Sequence, residues 1–257
     1  MSALLFEDVT VRLGSREVVS GIHARLAAGS LVAIVGPNGA GKTSFVRAVA
    51  GLVPHSGRIS LDGTELAVLS ARERARRIGY LPQGHIAHWP LPARDIVALG
   101  LYARGARDPA RLTAEQASAV DEAMRLTGTG AFAERPVTEL SGGERARVAL
   151  ARVIAGQPPV ILADEPTASL DPHYQLDMMA LLRAEADRGR LVVAVTHDLT
   201  LAARHADRVL VLAGGRIAAF GPPDETLTPA LMRAVFAIDV LTVARDGQTV
   251  LVPWQAV

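Results

Sequence analysis

The pattern of apolar and polar positions divides the chain into three parts. Residues 1–30 alternate apolar and polar side chains, which predicts an antiparallel hairpin with one face in water. Short apolar runs occur later at Leu31–Val35, Val160–Glu165, Leu191–Val195 and Val209–Ala213, and runs of this length are typical of buried strands. Because these runs alternate with helical stretches, the sequence predicts a mainly parallel sheet.

The middle part, residues 84–157, differs in composition from the rest of the chain. It is rich in Ala, Arg, Leu and Glu, and Pro and Gly separate its helical stretches. The predicted helices are Ala93–Tyr102, Thr113–Leu126 and Gly143–Ala155. The chain is therefore predicted to be one α/β domain, in which residues 1–83 and 158–257 form the core and residues 84–157 form a helical subdomain.

Shorter patterns predict the remaining elements. A hairpin is expected at Ser56–Leu66 with its turn at Asp62–Gly63, and a strand pair is expected at Ala237–Trp254 with a turn at Asp246–Gly247. The other predicted elements are the helices Thr43–Leu52, Ala71–Arg77 and Leu176–Arg188 and the strand Ile78–Gln83.

The segment GPNGAGKT at Gly36–Thr43 fits the pattern G-x-x-x-x-G-K-[ST] at every fixed position. Its glycines allow the backbone to turn tightly, so that successive N–H groups point inward at an oligophosphate. Lys42 can then reach the terminal phosphates, and the Thr43 hydroxyl can bind a magnesium ion. The predicted nucleotide-binding residues of this loop are Gly36, Pro37, Asn38, Gly39, Ala40, Gly41, Lys42, Thr43 and Ser44.

Two carboxylates, Asp164 and Glu165, end the apolar strand that begins at Val160. A strand that ends beside a phosphate loop can place Asp164 on the magnesium ion, directly or through water. Glu165 lies one residue further along, where a carboxylate can polarise an attacking water as a general base. Acidic residues after a strand also often cap helices, so the metal-ligand and general-base interpretation depends on the presence of the phosphate loop.

The segment LSGGE at Leu140–Glu144 places a serine and two glycines at the start of a predicted helix. Ser141, Gly142 and Gly143 would present a hydroxyl and free N–H groups to an anion. A plain N-cap is the alternative interpretation. Because the chain already has one phosphate-binding loop, a second anion site suggests a nucleotide held between two copies of the protein.

Composition narrows the classes of function. The formal net charge is +1 and 4% of the residues are aromatic, so we expect no nucleic-acid partner, and Arg72–Arg77 is typical of a solvated helix face. The chain has no cysteine, which excludes disulfides and thiolate metal sites. No apolar run approaches the roughly 20 residues of a membrane-spanning helix, so we expect that the chain does not cross a bilayer. His85 and His88 are a weak candidate for a metal site.

Together these motifs resemble those of ATP-binding cassette (ABC) ATPases, and the resemblance covers nearly the whole chain. The motifs are the phosphate loop Gly36–Thr43, a glutamine loop ending at Gln83, the signature Leu140–Glu144, the acidic strand Val160–Glu165, the loop Ala168–Asp171 and His197, in the family's order. The resemblance implies a P-loop ATPase core with a mainly parallel sheet, an N-terminal antiparallel β-subdomain and an inserted helical subdomain.

The resemblance also implies roles for the residues of the phosphate loop and the acidic strand, with ATP and Mg²⁺ as cofactors. Lys42 would bind the β- and γ-phosphates of ATP. Thr43, Gln83 and Asp164 would hold Mg²⁺, with Gln83 also near the attacking water. Glu165 would be the general base.

Other implied roles belong to residues that lie far from the phosphate loop in sequence. His197 would contact the γ-phosphate. The segment Ser141–Gly143 would close over ATP bound to a second copy of the chain, and Asp171 would line that interface. One departure from the family is Leu13, which stands where many relatives have an aromatic residue that stacks on adenine. We therefore expect weaker nucleotide binding or another residue that serves the adenine ring.

The resemblance finally implies a transport function that depends on partners. Separate transmembrane permease subunits and a substrate-binding protein are expected, with the chain peripheral on the cytoplasmic face of the inner membrane. The segment Leu81–Gly100 resembles ATPases that import iron–siderophore, haem, cobalamin and related metal chelates, and zinc and manganese importers share parts of it. Pro90, Pro92 and the helix after Ala93 would lie where a coupling helix of the permease docks. A soluble ABC ATPase acting on DNA or ribosomes and a non-hydrolysing ATP switch are the alternative classes.

Overall fold

The computed structural model describes residues 3–84, 89–245 and 248–257. The turn predicted at Asp246–Gly247 and the candidate metal ligands His85 and His88 lie outside these residues. The strands are β1 (Ala3–Leu13), β2 (Arg16–Ala27), β3 (Ser30–Val35), β4 (His55–Leu61), β5 (Thr64–Glu65), β6 (Ile78–Leu81), β7 (Val160–Asp164), β8 (Leu191–Val195), β9 (Arg208–Ala213), β10 (Arg216–Gly221), β11 (Ile238–Arg245) and β12 (Gln248–Ala256). The α-helices are α1 (Lys42–Val49), α2 (Ala71–Arg77), α3 (Ala93–Ala98), α4 (Ala114–Leu126), α5 (Gly142–Ala155), α6 (Pro172–Asp187), α7 (Leu199–His205), α8 (Pro223–Thr226) and α9 (Pro229–Phe236).

An antiparallel sheet occupies the N-terminal part of the molecule, with strand order β2-β1-β4-β5. The first two strands form the hairpin predicted from the alternation of apolar and polar positions. The second predicted hairpin is β4–β5, and its strands are joined at Asp62–Gly63. The apolar face of this sheet packs with α1 and one face of the larger sheet in a common core, which includes Phe6, Ile22 and Phe45.

The larger sheet has six strands in the order β10-β9-β3-β8-β7-β6. Its strands from β9 to β6 run parallel, and β10 pairs antiparallel at the edge. Every residue of β7 and β8 is buried, as expected for a parallel sheet that is covered on both faces. Because the strands are parallel and in register, the segments that follow β3, β6, β7 and β8 all leave the sheet at one edge.

The predicted helical region contains α3, α4 and α5, which pack together and against the sheet face opposite α1. The predicted helix boundaries differ from the structure by three or more residues at α1, α3 and α6. Helix α1 ends at Val49 and not at the predicted Leu52. The helix predicted over Ala93–Tyr102 is α-helical to Ala98 and continues as a 3₁₀ helix over Leu99–Arg104. Helix α6 begins four residues before the predicted Leu176, because the Asp171 side chain caps it and Pro172 suits its first position.

The C-terminal part packs against β9 and β3 of the large sheet. Apolar residues of α7, α8, α9 and β12 surround β9 there, and the Thr200 hydroxyl donates a hydrogen bond to the carbonyl oxygen of Leu251, 2.5 Å away. The predicted strand pair is present as β11–β12. In the described ranges no helix is both long enough and apolar enough to span a membrane.

Candidate functional site

The segment Gly36–Gly41 connects β3 to α1 and forms a loop at the edge of the large sheet. Gly41 has a φ of 96°, and a Cβ there would overlap the carbonyl oxygen of Val18, so this position requires glycine. Within the described ranges no side chain caps α1, which leaves the N–H groups of its first turn directed at the loop. The loop therefore offers backbone donors and the positive end of a helix to an anion.

Lys42 arches back over this loop. Its ammonium group donates hydrogen bonds to the carbonyl oxygens of Gly36 and Pro37, at 2.7 and 3.0 Å, and the residue is 7% exposed. Burial lowers the pKa of Lys42, and the nearby carboxylates of Glu165 and Asp164 oppose that shift. The structure thus places a cation at the predicted phosphate-binding position.

Asp164 ends β7 with its side chain fully buried, and both of its carboxylate oxygens accept hydrogen bonds. The Thr43 hydroxyl donates to Oδ1 at 2.9 Å, and the Tyr80 hydroxyl donates to Oδ2 at 3.0 Å. Burial raises the pKa of Tyr80, while a hydrogen bond from Arg47 opposes the shift. The sequence analysis missed Tyr80, although a tyrosine in the apolar strand IGYL needs a polar partner for its hydroxyl.

Glu165 is fixed in an uncommon backbone conformation. Its φ of 48° is left-handed, and its N–H donates a hydrogen bond to the carbonyl oxygen of Val195 at 3.1 Å. The Gln83 side-chain amide donates to Oε2 of Glu165 at 2.8 Å. Such backbone strain in a non-glycine residue persists where the surroundings enforce it, and it is enriched at functional sites.

A cleft with a volume of about 260 Å³ opens between these groups. Its lining residues come from the phosphate loop, the end of β7 and the start of β2; they are Arg16, Val18, Asn38, Gly39, Ala40, Gly41, Lys42, Thr43, Ser44 and Glu165. Arg16 and Val18 were not singled out from the sequence, because only the fold brings β2 next to the loop. Leu13 is 47% exposed and is not among these lining residues.

The signature segment begins α5 one residue earlier than predicted, at Gly142. The Ser141 hydroxyl accepts a hydrogen bond from the Glu144 N–H at 3.3 Å, and the Glu144 carboxylate accepts one from the Ser141 N–H at 2.8 Å. These hydrogen bonds lower the pKa of Glu144. Ser141 and Gly142 are exposed, whereas Gly143 packs against the ring of Tyr174 at the start of α6.

The structure brings five of the predicted site residues together at the loop. Thr43 hydrogen-bonds Asp164, Gln83 hydrogen-bonds Glu165, and Lys42 lies near both carboxylates. Five further residues of the predicted phosphate loop line the cleft: Asn38, Gly39, Ala40, Gly41 and Ser44. In the described part of the chain, His197, Asp171 and Ser141–Gly143 are not among its lining residues. His197 is exposed directly after β8, and Asp171 is exposed and accepts a hydrogen bond from the Tyr174 N–H at 3.2 Å. The signature residues Ser141–Gly143 form a separate helix start, of which Ser141 and Gly142 are exposed.

Comparison with known proteins agrees with this geometry. The chain matches the family model described as "ABC transporter" over residues 19–168. It is 41% identical to the hemin import ATP-binding protein HmuV of Rhodococcus jostii over 252 residues, which cover 96% of this chain and 85% of that protein.

Two solved structures are similar in fold. A structure described as an inward-facing metal-chelate type ABC transporter superposes with a TM-score of 0.85 and 24% identity, covering 99% of this chain and 98% of that one. A dimeric, post-hydrolysis ATP-binding cassette bound to ADP and Pi gives a TM-score of 0.74 with 28% identity, covering 87% of this chain and 99% of that one. The α/β architecture predicted from the sequence is therefore confirmed.

Proposed function

Because this chain belongs to the ABC transporter family, we propose that it is the ATP-hydrolysing subunit that energises haem import through separate membrane subunits. One observation carries the catalytic part of this proposal. The phosphate loop, Asp164 and the Gln83–Glu165 pair meet at one edge of the sheet, held by direct hydrogen bonds. This arrangement supplies a cation for phosphates, oxygen ligands for a metal ion and a carboxylate for a water molecule.

The phosphate loop binds the oligophosphate of ATP in this proposal. The N–H groups at the start of α1 and the Lys42 ammonium face the loop that the phosphates would enter. ATP would replace the carbonyl oxygens of Gly36 and Pro37 as the acceptors of the Lys42 hydrogen bonds, since phosphate oxygens are charged and therefore stronger acceptors.

The residues near Asp164 fit a magnesium ion. Mg²⁺ prefers oxygen ligands, and the Thr43 hydroxyl and the Asp164 carboxylate are oxygen donors 2.9 Å apart. The Gln83 amide uses its nitrogen to hydrogen-bond Glu165, so its oxygen is the third candidate ligand. Bound there, Mg²⁺ would neutralise charge on the phosphates.

Glu165 acts as the general base. Its carboxylate lines the cleft, and the hydrogen bond from Gln83 fixes its direction. It would take a proton from the water whose oxygen attacks the γ-phosphorus, while the bond from that phosphorus to the β–γ bridging oxygen breaks and ADP leaves. His197 follows the adjacent strand β8 and would contact the γ-phosphate from its exposed position.

A second copy of the chain completes the site. Ser141 and Gly142 are exposed at a helix N-terminus, which suits an anion that arrives from outside the chain. The dimeric cassette with bound ADP and Pi has the same fold. In a head-to-tail dimer, Ser141–Gly143 would close over the nucleotide on the partner's phosphate loop, and Asp171 would line the same interface.

A groove next to the helical region is the proposed docking site for the permease. It has a volume of about 450 Å³ between α1, α2, α5 and the 3₁₀ segment after α3, and exposed Leu52, Leu99 and Tyr102 lie along it. Arg152 also lines the groove; burial lowers its pKa, and no carboxylate pairs with it in the described part of the chain. A cytoplasmic helix with apolar side chains and one carboxylate fits this surface.

Haem is the proposed cargo because a 41%-identical relative is a hemin import protein. The chain would act at the cytoplasmic face of the membrane, together with a permease and a substrate-binding protein. In a strain lacking this chain, hemin uptake should be lost, and the wild-type chain but not Glu165→Gln should restore it. Unchanged hemin uptake together with loss of uptake of cobalamin or a ferric siderophore would assign a different metal chelate.

The docking part of the proposal has its own test. The wild-type chain should co-purify from detergent-solubilised membranes with a polytopic membrane protein, and Leu99→Glu or Arg152→Glu should abolish co-purification. Val68→Glu is the matched control, because Val68 is an exposed apolar residue outside the groove. A wild-type chain that leaves the membranes without any polytopic partner would contradict the transport function.

A further inference from the structure

We propose that Arg16 binds the adenine base of ATP by stacking its guanidinium plane on the ring. This inference rests on the proposed ATP site and adds to it the residue that holds the base. Arg16 begins β2 and lines the same cleft as the phosphate loop.

Arg16 lies at a distance from the phosphate loop that suits the adenine base of a bound ATP. The backbone of Val18 directly contacts the loop, because a Cβ at Gly41 would overlap the Val18 carbonyl oxygen. Arg16 lies two residues further along the strand, which corresponds to about 7 Å of extended chain. Phosphates held at the loop would therefore place the nucleoside, and not another phosphate, beside Arg16.

The Arg16 guanidinium is free to bind a ligand. The Arg16 side chain is exposed and makes neither a hydrogen bond nor an ion pair among the described residues. Its neighbour Arg12 differs, because its guanidinium donates to Glu17 at 3.1 Å. Of the two arginines at this end of the hairpin, only the one that lines the cleft lacks a partner in the structure.

The chemistry of the cleft favours stacking by arginine. A purine base binds best against a flat surface, and the lining residues listed above include no aromatic side chain. A guanidinium is planar and delocalised, so it stacks on aromatic rings. An ammonium group has no plane and cannot stack in this way. Leu13 lies opposite Arg16 in the β1–β2 register, and Val18 is half-buried; both are aliphatic and offer apolar contact without a plane.

The test compares two ligands on the full chain by titration calorimetry without added Mg²⁺. ATP carries the base, and tripolyphosphate carries only the charge. Arg16→Ala should weaken ATP binding about tenfold and leave tripolyphosphate binding unchanged. Arg16→Lys keeps the positive charge and should lose nearly as much ATP affinity, whereas Arg16→Trp should restore it because indole supplies a plane.

Arg25→Ala is the matched control, because Arg25 is an exposed arginine at the opposite end of the same strand. The Arg25→Ala variant should bind ATP with the affinity of the wild type. Equal losses for ATP and tripolyphosphate in Arg16→Ala would assign Arg16 to the phosphates and overturn the inference. Wild-type ATP affinity in Arg16→Ala or Arg16→Lys would overturn it as well. A wild-type chain that binds neither ligand would instead refute the proposed ATP site itself.

Discussion

The phosphate loop and the signature segment are the two surfaces of the proposed ATP site that two chains share, and they differ in how complete each is within a single chain. At the loop, long-range hydrogen bonds join Thr43 to Asp164 at 2.9 Å and Gln83 to Glu165 at 2.8 Å. At the signature, the Ser141 side chain bonds its own helix turn through Glu144 and stays exposed. One end is a connected group of side chains, and the other is a helix start.

The difference indicates which part of the shared ATP site each chain supplies. In the proposed function, the loop side supplies the cation, the candidate metal ligands and the candidate base, and the signature side of a second chain closes over the nucleotide. The signature side has a hydroxyl and helix N–H groups, and among the described residues their only partners lie in its own capping box. Catalysis should therefore be lost by damage to either side, whereas nucleotide binding by a single chain should depend on the loop side alone.

The largest effect is expected on the loop side. Glu165→Gln removes the general base and should lower steady-state ATP hydrolysis by at least about a hundredfold, with ATP affinity retained. Glu115→Gln, which changes an exposed glutamate in the first turn of α4, is the control and should hydrolyse ATP like the wild type. Unchanged hydrolysis in Glu165→Gln would eliminate the general-base role.

The next largest effect distinguishes two roles of Ser141, a helix N-cap and a contact with the nucleotide. Ser141→Ala should cost about 1 kcal/mol in the free energy of unfolding, because it removes an N-cap, and it should also reduce hydrolysis strongly. Thr113→Ala removes the same type of capping box from α4 and should cost similar stability with hydrolysis intact. If the two variants hydrolyse ATP equally well, Ser141 is an N-cap and nothing more.

The two signature glycines should respond in opposite ways. Gly143→Ala places a methyl group against the Tyr174 ring and should destabilise the fold by about 1–3 kcal/mol. A Cβ at Gly142 meets nothing within 4 Å, so Gly142→Ala should unfold at the wild-type temperature. It should nevertheless hydrolyse ATP more slowly, since its methyl group points into the space reserved for the partner's nucleotide. Wild-type hydrolysis by Gly142→Ala would contradict that closure.

The smallest effect is a pH dependence of the signature cap. Hydrogen bonds from Ser141 hold the pKa of Glu144 below the ordinary glutamate value of 4.5, so the folded state binds this proton less readily than the unfolded state. The resulting stability is fully present above pH 4.5 and is lost as the pH falls through the folded-state pKa. In urea unfolding, the stability difference between wild type and Glu144→Gln should therefore shrink below pH 4.5; a constant difference would contradict the assignment.

On the loop side, sequence patterns predicted the strands and the helix but not the side-chain contacts between them. The apolar runs and the loop motif identified β3, α1 and β7, because both signals are local in sequence. The contact of Tyr80 with Asp164 spans 84 residues and depends on β6 pairing with β7, which periodicity cannot reveal. The same holds for Arg16, because β2 reaches the cleft only through the tertiary fold.

The signature side leads to the same conclusion. Its helix start and capping serine follow from local sequence, and the boundary was correct to one residue. What the local pattern could not predict is the packing of Gly143 on Tyr174, which links the signature helix to the helix that Asp171 caps. A shift of either helix would therefore be transmitted to the other, since the glycine leaves no space between them.

The central claim is that each chain carries half of an ATP site, and the mass of the ATP-bound protein tests it most directly. Sedimentation of Glu165→Gln with saturating ATP should give a dimer, and the same chain without nucleotide should give a monomer. Adding Ser141→Arg to Glu165→Gln should leave ATP bound but keep the chain monomeric, because the signature side can no longer close. A Glu165→Gln chain that stays monomeric with ATP bound, or a double variant that still dimerises, would contradict the shared site.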